Sequence, residues 1–167
     1  MIKNNIKNNK GFVILFAVVL SSIILAVALN IVDILLKEVK FSASARDTNN
    51  AFFAADTGAE CALFNDKSSG NSFLVEGGSG VVNCLDKNIP VVCLDNNSVP
   101  FVGSCHYWSF PIFGLNSGEK GCATVTVDKR IFPTTVIISK GYNNGGTNLN
   151  FCTPDSNSVE RVLELNY

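Results

Sequence analysis

"GFVILFAVVLSSIILAVAL", residues 11–29, decides how the rest of the chain has to be read. From Phe12 to Leu29 there are 18 residues without a charge, a glycine or a proline, interrupted only by Ser21 and Ser22. Wound as an α-helix they reach about 27 Å, close to the hydrocarbon thickness of a bilayer. The stretch therefore reads as a membrane span. Lys3, Lys7 and Lys10 precede it with no acid among them, and positive flanks stay cytoplasmic, although Lys37 and Lys40 on the far side weaken the asymmetry. The expected topology is a single pass, with the N-terminus in the cytoplasm and the bulk of the chain outside it.

A secretory signal competes with the uncleaved span. Ala26, Val27 and Ala28 form a small-x-small pattern that a signal peptidase can cut after Ala28. Against this, no polar or helix-breaking segment precedes that cut, and apolar residues continue through Ile31, Val32, Ile34, Leu35 and Leu36.

Beyond the span, helix-compatible sequence runs without glycine or proline to Gly58. Ala43, Ala45, Ala51, Ala54, Ala55, Ala59 and Ala62 are strong helix formers, and Phe52, Ala55, Ala59 and Leu63 fall at helical spacing on one face. "FNDKSSG", ending at Gly70, supplies the stop. "DTNN", residues 47–50, is the weak point, four poor helix formers in a row where a kink is expected if one occurs. A helix from Phe12 to about Asp66 would measure on the order of 80 Å. A domain of this size cannot enclose it, so its first half belongs in a membrane or against other subunits.

After Gly70 the sequence changes to short β-branched and aromatic runs separated by Gly, Pro, Asn and Asp. "SFLVEGGSGVVNCLD" reads as strand, turn and strand, and Pro90, Pro100 and Pro111 mark edge or irregular pieces. Antiparallel strands are expected near 123–128, 134–140 and 161–167. The fold class is α+β, a long N-terminal helix packed on a small antiparallel sheet with disulfides. The expected segments are 1–11 as a basic leader, 12–36 as the transmembrane half of the helix, 37–66 as its amphipathic half, and 67–167 as a β-rich domain.

All six cysteines, Cys61, Cys84, Cys93, Cys105, Cys122 and Cys152, lie beyond the span. An even number in an exported domain points to disulfides, with 15 pairings open to six cysteines. If residues 123–128 and 134–140 form a hairpin, Cys122 lies at the end where the second strand exits toward Cys152, which favours that bridge. Cys61 with Cys84 and Cys93 with Cys105 follow from proximity alone. Ligand spacing for a metal is missing, since there is no CxxC pair with a neighbouring histidine.

Catalytic and binding motifs are thin. Cys105 and His106 are adjacent, but neighbours on a strand point to opposite faces, so no thiol–base pair is expected there. Tyr107 and Trp108 beside "SFPIFG" suggest either an aromatic ligand patch or ordinary core. "GGSG" at 77–80 and the glycines at 145 and 146 lack the strand-to-helix setting and the lysine of a phosphate loop. Neither an enzyme nor a cofactor is expected. Without Lys3, Lys7 and Lys10, 10 basic residues remain against 14 acidic ones. They are scattered rather than gathered on one face, so nucleic acid is not expected as a partner.

The basic leader ending in Gly11, then Phe12, then a long apolar helix leading into a small cysteine-containing β domain resembles the type IV prepilin family, including pseudopilins. "SARDTNNAFFAADTGAECAL" is similar to the alanine-rich "A-A-[DE]-x-G" segment of minor, K-type members. The resemblance implies cleavage by prepilin peptidase between Gly11 and Phe12, N-methylation of Phe12, and partners that are other pilin subunits and an inner-membrane assembly platform. It covers residues 8–64 in motif and the remainder in architecture alone.

One position departs from the family pattern: the glutamate usual at the fifth mature position is replaced by Phe16. A free ammonium in an apolar filament core is costly unless a carboxylate meets it. A subunit lacking that glutamate cannot make the contact to a predecessor but can be first in line, which by similarity points to an initiating or tip position. Asp33 lies 21 residues beyond Phe12, roughly 30 Å along a helix, too far to substitute within one chain. Expected roles are adhesion, motility, DNA uptake or secretion. The competing readings are a Sec-exported binding protein that begins at Leu29 and an uncleaved single-span surface protein.

Overall fold

The computed structural model describes residues 10–68, 70–76, 80–95, 104–115, 120–145 and 152–167. Helix α1 runs from Lys10 to Lys67. Among the described residues seven strands follow: β1 (Val81–Cys84), β2 (Lys87–Pro90), β3 (Val92–Cys93), β4 (Tyr107–Phe113), β5 (Cys122–Asp128), β6 (Val136–Tyr142) and β7 (Glu160–Asn166). The chain divides into two compact units, one ending at Ser44 and the other Ala45–Tyr167.

Residues 47–50 are helical, without the break their composition allowed. Propensity is a weak prior that tertiary packing overrides, and the residues just beyond, Ala51, Ala54 and Ala55, are fully buried. The helix ends at Lys67, where the Ser68 N–H bonds back to the Phe64 carbonyl and the Ser68 carbonyl accepts the Asn71 N–H.

Strands β3-β4-β5-β6-β7 form one antiparallel sheet in sequential order, and β1-β2 form a separate hairpin. Five strands replace the three expected. β4, expected as an irregular piece because of Pro111, is a seven-residue strand paired along its length with β5. The proline is tolerated because β3 covers only Trp108 and Ser109. At Pro111, β4 therefore has a single neighbour and needs no N–H on the other side.

Strand ends also shift. β6 begins at Val136 because the Thr134 N–H closes a turn onto the Ile131 carbonyl, and it continues through Gly141 and Tyr142, paired with Ala123 and Cys122. β5 gains Cys122, and β7 runs one residue earlier than expected. "SFLV" is turn rather than strand, and Glu76 makes an isolated bridge to Ser104. The turn expected at Gly77–Ser79 lies outside the described residues.

One sheet face forms the core. Trp108, Phe110 and Ile112 of β4 alternate inward with Ala123, Val125 and Val127 of β5, while Ile137, Ser139 and Gly141 continue the rows on β6. Phe73 stacks on Phe110, with ring centroids 5.9 Å apart, and meets Trp108 edge-on. Burying this apolar surface is the main favourable term in folding the unit.

The helix meets this face through small residues. Its buried stripe is Ala51, Ala54, Ala55, Gly58, Ala59 and Ala62, and Phe52, expected on that stripe, is exposed. The reason is the closeness of the approach. A Cβ at Gly141 would strike the Ala55 backbone nitrogen and the Ala51 carbonyl, and a Cβ at Gly58 would strike Ser139 Oγ and Val125. No phenylalanine fits where two backbones pack this closely.

Asn65 fastens the end of the helix. Its amide donates to the Cys61 and Asn83 carbonyls at 2.9 and 3.1 Å, and its oxygen accepts from the Asn83 N–H at 3.2 Å and from Ser72 Oγ at 3.4 Å. Burying this amide is tolerable because each half is bonded.

Candidate functional site: an unburied apolar helix

Every large apolar side chain of α1 from Phe12 to Leu36 is exposed, with Phe12 75% and Phe16 56% accessible. An 18-residue window of this helix has a mean hydropathy of 3.0, and none of it is buried within the molecule. The helix is long and apolar enough to cross a membrane.

Its uncharged polar side chains are satisfied internally. Ser21 Oγ donates to the Val18 carbonyl at 2.9 Å, Ser22 Oγ to Val19 at 2.8 Å, and Asn30 Nδ2 to Ala26 at 2.8 Å. Self-satisfaction of this kind lets a helix sit in lipid or against an apolar partner without stranded donors. Gly11 and Phe12 lie in the first turns of α1, with Phe16 one turn on. Asp33 and Lys37 stand four apart on the same helix, in the favourable order of acid before base.

In the second unit three disulfides brace the fold. Cys61 of α1 is joined to Cys84 of β1, Cys93 of β3 to Cys105, and Cys122 of β5 to Cys152, with Cα–Cα distances of 5.8, 6.1 and 5.8 Å. Gly145 packs against the third, where any Cβ would collide with Cys122 Sγ. Cys152 begins the segment leading to β7, which Val159 N–H to Asn143 Oδ1 (2.7 Å) and Ser158 Oγ to the Asn144 carbonyl also secure.

Among the described residues, Cys93, Asp95 and Cys105 form a cluster of metal-ligand type. Its two sulfurs are bonded to each other, and Asp95 Oδ2 accepts the His106 and Tyr107 N–H groups at 2.7 and 3.1 Å. The donors are thus committed, so the cluster does not fit a cation. Cys105, being disulfide-bonded, offers His106 no thiolate. His106 Nδ1 instead lies 3.9 Å from Asp95 Oδ2. Trp108 and Phe110 are core residues of β4 and form no ligand patch.

Two polar clusters had no clear sequence signal. Lys129, partly buried, makes an ion pair with the buried Asp66, and the other Asp66 oxygen accepts the Tyr167 hydroxyl at 2.7 Å. Burial and then this bond push the Tyr167 phenol upward. Tyr142 donates to Glu160 Oε2 at 2.6 Å, and burial first and Glu160 second push its phenol up to about 12. On the surface, hydrogen bonding from the Arg130 guanidinium holds the Asp128 carboxyl below its ordinary value.

No family model matches the chain, and no curated protein or solved structure shows a significant match to it.

Proposed function

We propose that the chain is a minor type IV pilin-like structural subunit, processed after Gly11 and assembled into, or at the tip of, a surface filament or pseudopilus. The observation that carries this reading is the first half of α1. It is an apolar helix with no internal packing and with its serine and asparagine side chains bonded to its own carbonyls, so it needs an external apolar environment, first lipid and then other subunits. The Gly11–Phe12 junction at its start and the disulfide-braced sheet unit are the supporting features. Phe16, in place of an acid, favours an initiating or tip position. The role is structural rather than catalytic.

The partners on this reading are other pilin subunits, prepilin peptidase and an inner-membrane assembly platform. The sheet unit lies outside the cytoplasm, where its disulfides persist. Mass spectrometry of the mature N-terminus from the native host tests the proposal. N-methyl-Phe12 is expected. A chain beginning at Leu29 would identify a Sec-exported protein, and an intact Met1 an uncleaved single-span protein; either result sinks the processing on which filament assembly rests.

A further inference from the structure

Two exposed features of the second unit leave large apolar side chains in solvent. The first is a groove of about 360 Å³ between α1 and the β1–β2 turn, walled by Glu60, Cys61 and Phe64 on one side and Cys84, Leu85 and Asp86 on the other. Phe64 is 69% and Leu85 54% exposed. Leu85 and Asp86 are the two loop residues of the hairpin and both are left-handed, with φ of 52° and 59°. Such turns favour Asn and Gly, and a bulky leucine there is an outlier. Strained, exposed residues of this kind concentrate at binding sites. Two carboxylates and no basic side chain line the groove.

The second feature is the loop between β5 and β6, where Ile131 is 76% and Phe132 93% exposed next to Arg130. The loop is held firmly. The Arg130 N–H and guanidinium both bond Asp128, the Lys129 N–H bonds the His106 carbonyl at 2.7 Å, and the Arg130 guanidinium lies 4.5 Å from the Tyr107 ring centre. Two apolar side chains fixed in water on a stiff loop are preorganised for insertion. Arg130, though bridged to Asp128, keeps more than half of its side chain in solvent.

We propose that these features are the two halves of a contact between copies of this chain. Phe132 and Ile131 of one copy enter the Phe64–Leu85 groove of the next, with Arg130 facing Glu60 and Asp86. Apolar knob meets apolar groove, and the cation meets the two acids. The proposed contact is heterologous, one knob in one groove for each pair of copies, and so leaves a free knob at one end and a free groove at the other. The contact is smaller than a standard interface, so association is weak. It goes beyond the pilin-like reading and requires no cleavage after Gly11. Self-association of an uncleaved chain would retain this contact and remove that reading.

The test is light scattering with size-exclusion chromatography on the full chain in detergent, from about 1 μM to 1 mM, the span of weak affinities. The wild type is expected to form a concentration-dependent series of oligomers that shortens as salt rises. Phe132→Ser and Phe64→Ser change exposed side chains and leave folding intact. Each alone should weaken association by roughly 30-fold, the scale of a central interface residue. Mixed one to one, they should form heterodimers and nothing larger, because one knob and one groove survive. A wild type that stays monomeric throughout overturns the proposal. So does a closed dimer, an oligomer that persists in both variants through the shared helix, or a mixture that fails to pair.

Discussion

Gly141 of β6 lies so close to Ala55 of α1 that an added methyl group would fall on the Ala55 backbone nitrogen. The contact brings helix and sheet backbones together and explains why the buried helix face is built of alanines. Gly141→Ala should therefore act as overpacking against backbone that cannot move aside, costing about 3 kcal/mol. Urea unfolding of the oxidised chain, followed by Trp108 fluorescence, measures it. A loss within about 0.5 kcal/mol, the range of an ordinary surface change, would show that the two backbones are not in contact.

Lys129, partly buried, pairs with the buried Asp66, and removing the lysine strands the charge of the carboxylate. Lys129→Met should cost about 3 kcal/mol. In the Asp66→Asn/Lys129→Met double variant the cost should fall well below the sum of the singles, because no uncompensated charge remains. Thermal denaturation of the four proteins in one buffer closes the cycle, and additive losses would contradict the pairing.

The Cys122–Cys152 bridge spans 30 residues. Chain-entropy estimates give a disulfide of this span about 3.5 kcal/mol. Cys122→Ser/Cys152→Ser should lose stability on that scale. Local opening should appear as faster amide exchange near Cys152 and at Tyr142 and Glu160, where β7 begins.

Tyr142 gives the fold an alkaline limit. Its phenol is raised from the ordinary 10 to about 12 in the folded chain, so the folded state holds the proton more tightly than the unfolded state. The sign follows by linkage: the contribution is fully present below pH 10 and is lost as pH rises toward 12. Tyr142→Phe should flatten the fall in stability over that window without abolishing it, since Tyr167 is raised as well. At neutral pH it should cost about 1 kcal/mol for the lost bond to Glu160. Unfolding midpoints measured from pH 8 to 12 provide the comparison.

Hydrophobic run, alanine content and cysteine spacing made much of this architecture legible. The apolar half of α1 could be read because eighteen successive residues admit no competing structure. β5 and β7 were recognisable because their alternation matches the side-chain period of a strand, and β6 because it is a β-branched run. β4 was obscured by Pro111, whose cost depends on whether a neighbouring strand is present at that residue. Phe52 was misassigned because helical spacing gives several candidate faces, and only contact with Gly141 selects the alanine face. Asp66, Lys129 and Tyr167 come together from positions 63 and 101 residues away from Asp66, so nothing local announced them.

By itself the sequence determined a long helix whose first half has to find apolar surroundings, and a disulfide-bearing β segment after it, because periodicity and composition act over a few residues at a time. Tertiary structure alone decided the five-strand order, the glycine-mediated approach of helix to sheet, the buried Asp66 pair, and the exposure of Phe132 and Leu85. Those features depend on which distant residues share a face, and long-range packing sets that after the local elements have formed.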